Sequence, residues 1–438
     1  MKVLQLSPDE RQRCLFMLAF LGSILLLVYA SILPVQYRQC SFEDAKNAFE
    51  NLPWLNIQLY GRADWVANCL VVLPLGWLGA AAIDWRRKSQ RLLILFMPFL
   101  IVLLCFLVAG IEFLQAWFPP RTQSLNDVAT GCLGAVVGPL VWLVTGRWTL
   151  ETISKILQLG MSRERLWHAA MLYAVANLGF AALPLDLVVS LPELREKAAL
   201  GRLELVPGFD DPSQQIKPVV LSILRVVPLT LLLCFSRGVK TAIVYSLGFA
   251  ILCELIQVPV FTRTASLFHA MVSATGGMVA VLLYHSRSLV RPILRRSAFW
   301  FLLASLSSAI LMLTLVWTSE RFIHDSRELS ERWDRFLGWP MAGYYYQAEF
   351  SALTTLVYKA IIFTWIGGCF AASIITADQP SKRGVRVLAW VLMVTTAIAF
   401  ETAQVYLPPH IGDAFDICVY LATMLTAFVI VQKVATVD

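Results

Sequence analysis

Apolar runs of about twenty residues recur along almost the whole chain, at 14–34, 64–82, 92–117, 127–146, 167–190, 217–235, 241–260, 267–285, 298–318, 351–373, 387–406 and 415–432. A helix of roughly 20 residues crosses a hydrocarbon core of about 30 Å. The pattern therefore predicts an all-α, polytopic integral membrane protein of about twelve transmembrane helices. The order of elements repeats: a helix, a long polar segment, a helix, a basic connection, a helix, a tight turn and a helix. This divides the chain into three parallel four-helix repeats over 1–150, 151–297 and 298–438, parallel because an even number of spans returns each repeat to the same side. In the long polar segments, QCSFEDAKNAFENLP and SERFIHDSRELSERWDRFLGW space their apolar residues by three and four, which predicts short helices lying on the membrane surface. Trp54, Trp333, Trp339, Tyr344 and Tyr345 suit the interfacial belt.

Composition sharpens this reading. A hydrophobic content of 58%, a mean hydropathy of +0.68 and a charged fraction of 15% exclude a soluble globular protein. Most of the 36 Lys and Arg residues fall in the connections DWRRKSQR, HSRSLVRPILRR and QPSKRGVR, in the segment from Arg147 to Arg165, and near the two ends. Cations resist translocation, so these connections are expected in the cytoplasm, with both termini inside and the tight turns outside. The net charge of +7 is then a topology bias, and no nucleic-acid partner is expected. The first apolar run is long and lacks a small-residue cleavage site, so it is expected to remain as a helix. Of the nine cysteines, Cys40 is alone in the outer loops, and no disulfide is expected. No Walker loop, dinucleotide fingerprint or metal-ligand run is present in the sequence, so no cofactor and no metal are expected.

One constellation recurs at the three tight turns. Glu112, Gln115, Arg121 and Asp127 form the first copy, Glu254, Gln257, Arg263 and His269 the second, and Glu401, Gln404, His410 and Asp416 the third, with Asp413 just before the last Asp. The offsets from the Glu are identical, as expected of an internal repeat. Glu and Gln three apart share a helix face and can both look into the bundle, while an Asp at the start of the next helix complements the helix dipole and can cap it. The second helix of each repeat adds one polar residue, Asn68, Arg225 or Lys359. Placing that helix beside the third predicts buried ion pairs Arg225–Glu254 and Lys359–Glu401, and a hydrogen bond from Asn68 to Glu112.

The first copy resembles the VanZ-like family of bacterial membrane proteins. The resemblance rests on Glu112, Gln115, Pro119, Pro120, Arg121, Asp127, Gly134 and Gly138, with Asn68, Pro74 and Gly76 upstream. Ser124 stands at the family's first Asp and Gly131 at its helix-four Asn, while the other two copies are diverged: the second keeps Gly276, and the third restores the acid pair as Asp413 and Asp416. The resemblance implies a multi-pass protein of the bacterial cytoplasmic membrane that works in the cell envelope, in a family named for low-level resistance to a lipid-tailed glycopeptide antibiotic.

Three classes of function follow. The first is a protein that binds an amphiphilic anionic ligand, such as a phospholipid, a lipid-linked precursor or a lipoglycopeptide, at the outer leaflet. Its ligand residues would be Asn68, Glu112, Gln115, Arg121, Asp127, Glu401, Gln404, His410, Asp413 and Asp416, with the first repeat as the expected centre. The second is a membrane-embedded enzyme on lipid-phosphate or glycan-lipid substrates, with Glu112 or Glu401 as base. The third is a lipid transporter or scramblase. The first is preferred, because no nucleophile stands at activated spacing.

Overall fold

Helices form where the apolar runs lie, because a backbone in hydrocarbon must satisfy its own N–H and C=O groups. The computed structural model describes residues 8–54, 61–84, 90–157, 162–204, 212–345 and 349–435. The basic connection at 85–89 and the acids Asp210 and Asp211 lie outside them. Among the described residues ten helices are long and apolar enough to cross a membrane. The remaining two expected spans are helical as well, but the first is shorter than expected: its helix closes at Ala182, and 183–190 runs on as a loop.

The chain divides into two compact bodies, one holding residues 1–157 and 167–278, the other 158–166 and 279–438. In the first body the helices are α1 (Pro8–Ile32), α2 (Phe42–Glu50), α3 (Gly61–Ile83), α4 (Gln90–Leu114), α5 (Leu125–Leu157), α6 (Arg163–Ala182), α7 (Leu191–Ala199), α8 (Pro212–Arg237), α9 (Val239–Gln257) and the main part of α10 (Leu267–His285). A two-residue parallel pair, β1 (Leu203–Glu204) with β2 (Ala265–Ser266), closes the second turn. In the second body come α11 (Arg287–Leu294), α12 (Ser297–Trp317), α13 (Ser326–Phe336), α14 (Ala342–Tyr345), α15 (Glu349–Ile375), α16 (Gln379–Tyr406) and α17 (Ala414–Ala435). The long polar segments form the short helices α2, α7 and α13, whose N-caps Ser41, Ser190 and Asp325 each accept a backbone N–H from the first turn.

The expected neighbour of the second helix is corrected by the packing. The closest helix to α3 is α5, and the closest to α15 is α17, so in the first and third sets the second helix lies chiefly along the fourth and only secondarily along the third, whereas in the second set α8 lies along α9. Glycine makes the approach possible: Gly134 and Gly138 of α5 press on the Cys69 and Leu73 carbonyl oxygens of α3 with no room for a Cβ, as small residues do where membrane helices meet. Core side chains then fill the remaining gaps. Val72, Leu75, Leu104 and Trp142 pack in the first body, and Phe363, Phe370, Met393 and Tyr420 in the second, where the rings of Phe363 and Tyr420 stack at 3.8 Å.

Candidate functional site

The recurring Glu has one architectural task at all three turns. Glu112 Oε1 accepts the Ser124 N–H at 2.6 Å, Glu254 Oε2 accepts the Ser266 N–H at 3.0 Å, and Glu401 Oε1 accepts the Asp413 N–H at 2.9 Å. Each carboxylate thereby holds the entry to the following helix, where unpaired N–H groups and the positive end of the dipole favour an anion. The capping residue is the one at this entry. Ser124 Oγ accepts the Asp127 N–H at 3.1 Å, and Asp413 Oδ1 accepts the Phe415 N–H at 2.9 Å, so capping by Asp127 and Asp416 is replaced by capping from Ser124 and Asp413.

The cation of each turn is also bound to the fold. Arg121 donates from Nε to the Leu33 carbonyl at 2.9 Å and from Nη2 to Ala30 at 2.8 Å, at the end of α1. Arg263 repeats this on Leu183 and Phe180 at the end of α6. His410 does the equivalent at the end of α12, where its ring meets Thr318 Oγ1 at 3.0 Å and the Leu315 backbone. Burial lowers the His410 pKa below its ordinary value, which favours the neutral ring. Gln115 donates to the Ser31 carbonyl at 3.3 Å, and Gln404 donates to Glu401 Oε2 at 2.7 Å.

Two cations that the sequence reading passed over close the other side of these turns. Lys197 of α7 is fully buried and donates from Nζ to the Gln257, Val258 and Val260 carbonyls at 2.6–2.7 Å. Arg332 of α13 donates to the Gln404, Val405 and His410 carbonyls. Both sit seven residues past a helix N-cap, the signal that would have found them, and they cover the negative ends of α9 and α16, the membrane helices that lead into these turns. Ala48 holds that place in α2.

The polar residues of the second helices meet the fourth helix. Asn68 donates from Nδ2 to Asp127 Oδ1 at 2.5 Å, and not to Glu112. Lys359 contacts Asp416 Oδ2 at 2.5 Å and lies 3.5 Å from Glu401 Oε1. Arg225 makes no ion pair with Glu254 within 4 Å among the described residues; its side chain lies beside the Cys253 thiol. The register explains this. Gly134 abuts Cys69 and Gly276, at the same offset from its Glu, abuts Ile223, so Asn68 corresponds to the buried Ser222, one helical turn before Arg225. His269, moreover, stands where the other turns carry Asp127 and Asp416.

The candidate residues that share a cavity are therefore those of the second body. A cavity of about 390 Å³ is lined by Lys359, Gln404, His410, Asp413, Asp416 and Tyr344, and by the apolar Leu315, Phe400 and Ile411. Tyr344 donates to Asp416 Oδ2 at 2.6 Å, and the Tyr420 hydroxyl donates to Glu401 Oε2. Burial and the Asp416 charge push the Tyr344 pKa up, so its hydroxyl keeps its proton and remains a donor. Glu401 is 0% and Asp416 1% exposed, so the single Lys359 faces two fully buried carboxylates.

Residues 15–146 match the VanZ/LLP1 family model. No curated protein and no solved structure matches the chain. The match covers Asn68, Glu112, Arg121 and Asp127, the residues of the first turn and its asparagine–aspartate pair. Residues 15–146 of this membrane protein are similar to the VanZ/LLP1 family.

Proposed function

We propose that the chain is a non-enzymatic VanZ-like protein of the bacterial cytoplasmic membrane that holds the polar head of an amphiphile, a membrane lipid or lipid-linked envelope precursor, in the cavity beside Lys359. The single observation that carries this reading is the make-up of that cavity, in which ionisable and hydroxyl groups face one space together with Leu315, Phe400 and Ile411. Its volume of about 390 Å³ falls in the roughly 300–1,000 Å³ range of ligand pockets. The reading moves the centre of activity from the first turn to the third, because Arg121 and Arg263 donate to backbone carbonyls. In this reading the spans form three parallel four-helix units. Native mass spectrometry of the chain extracted with its lipids tests it. Gly343→Leu, which fills the cavity next to Ile411, is expected to lower retained lipid about tenfold at an unchanged melting temperature. Retention equal to wild type would remove the amphiphile site.

The cation distribution supports an orientation with both termini cytoplasmic. Ser124 and Ser266 are too buried to report sidedness. The exposed Thr122 and Thr262, changed to Cys on a Cys-free background, are expected to react with an impermeant reagent added outside, while Ser381→Cys and Arg287→Cys stay protected. The reverse labelling would overturn the orientation.

A further inference from the structure

The charges around the cavity do not balance. Glu401, Asp413 and Asp416 are buried acids, and among the described residues Lys359 is the one basic side chain that forms an ion pair with any of them, with Glu401 and Asp416, while burial favours the neutral form of His410. Glu401 is saturated by the Asp413 N–H, Gln404, Tyr420 and Lys359. Asp416 is only half satisfied: Oδ2 accepts from Lys359 and Tyr344, whereas Oδ1 is buried and has no hydrogen-bond partner among the described residues. A buried carboxylate oxygen without a donor is costly, and a cationic N–H donor relieves both the missing hydrogen bond and the excess negative charge. Asp413 lines the same cavity, and burial together with the Asp416 charge raises its pKa above the ordinary carboxylate value.

We propose that this cavity binds a primary ammonium group, the amino head of an amphiphile, with Asp416 Oδ1 and the Asp413 carboxylate as its acceptors. An anionic head would face two carboxylates and be repelled. A quaternary ammonium has no N–H to give Asp416 Oδ1, and the rings of Tyr344 and Tyr420 already lie 5.8 and 5.7 Å from Lys359 Nζ. Among the described residues no three His, Cys, Asp or Glu side chains are grouped to hold a metal ion. The phenyl ring of Phe400 and the side chains of Leu315 and Ile411 give the carbon chain next to the ammonium an apolar wall.

The inference rests on the amphiphile reading above, and one experiment separates the two. The full chain is delipidated in detergent and exposed to mixed vesicles of phosphatidylethanolamine, phosphatidylcholine and phosphatidylglycerol with identical acyl chains, and retained lipid is read by native mass spectrometry. Wild type is expected to keep the ethanolamine lipid about tenfold over the other two, and Asp416→Asn to bring that ratio to within about twofold of one, as loss of a charge-assisted hydrogen bond requires. Asp413→Asn serves as the second variant should Asp416→Asn fail to fold. Free ethanolamine alone is the parallel probe: an Asp416-dependent rise in melting temperature without lipid preference would assign the site to a soluble amine and keep the ammonium. Equal retention of all three lipids that Gly343→Leu abolishes, without ethanolamine protection, would overturn the ammonium and leave the amphiphile site standing. Equal retention that Gly343→Leu leaves unchanged, again without protection, would overturn both. An ethanolamine-lipid preference that survives both Asp variants would also overturn the assignment.

Discussion

Lys359→Met is expected to destabilise the second body by about 3–5 kcal/mol, because it strips the counter-charge from two carboxylates that water does not reach. Asp416→Asn is expected to cost much less. In that variant Lys359 keeps Glu401 at 3.5 Å, and the amide oxygen can still accept from Lys359 and Tyr344. The asymmetry follows from the pairing: Glu401 and Asp416 share Lys359, so losing the base leaves both carboxylates uncompensated, while neutralising Asp416 leaves Lys359 paired with Glu401. Chemical unfolding in detergent, followed by the fluorescence of the Trp residues, measures both. Equal losses, or a larger loss for Asp416→Asn, would show that Lys359 is not the charge on which the cluster depends.

Removing the clasp cations, the buried Lys197 and the half-buried Arg332, is expected to be the next largest loss. Lys197→Met leaves three carbonyl oxygens at the end of α9 without their donor, and Arg332→Met does the same at the end of α16. Hydrogen bonds to a charged group contribute about 1.5–3 kcal/mol each and are not additive, so a loss of about 3 kcal/mol is expected for either variant. Amide exchange locates the effect. In Arg332→Met the His410 and Asp413 amides should exchange at least tenfold faster, with α15 unaffected, and unchanged exchange at the turn would show that α13 is not its clasp. Ala48→Lys is the matched control, since Ala48 is exposed, and it should shift stability by less than about 0.5 kcal/mol.

The candidate site was legible in one dimension and not in three. The positions that matter at each turn could be read from their offsets, and Glu112, Glu254 and Glu401 do share one hydrogen-bonding task. The task itself could not be read, because an acid that holds a backbone N–H and an acid that waits for a ligand have the same spacing. The same ambiguity explains Arg121, whose five donors suit a phosphate in the abstract but meet Leu33 and Ala30 in the fold. Arg225 misled for a different reason. Without Gly76's counterpart to fix the register, a single turn of helix separated it from Ser222, and only the close approach of Gly276 to Ile223 reveals the shift.

Sequence alone determined that the chain is helical and built for a membrane, since runs of apolar side chains, about twenty residues long, leave the backbone no other way to satisfy its hydrogen bonds. It also determined where the short surface helices begin, because Ser41, Ser190 and Asp325 cap them within a few residues of where they stand. The tertiary structure alone decided the partners. Asn68 reaches Asp127 and Lys359 reaches Asp416 because glycines let the second helix settle against the fourth, and the contact between backbones, not the distance along the chain, selects which buried charges meet.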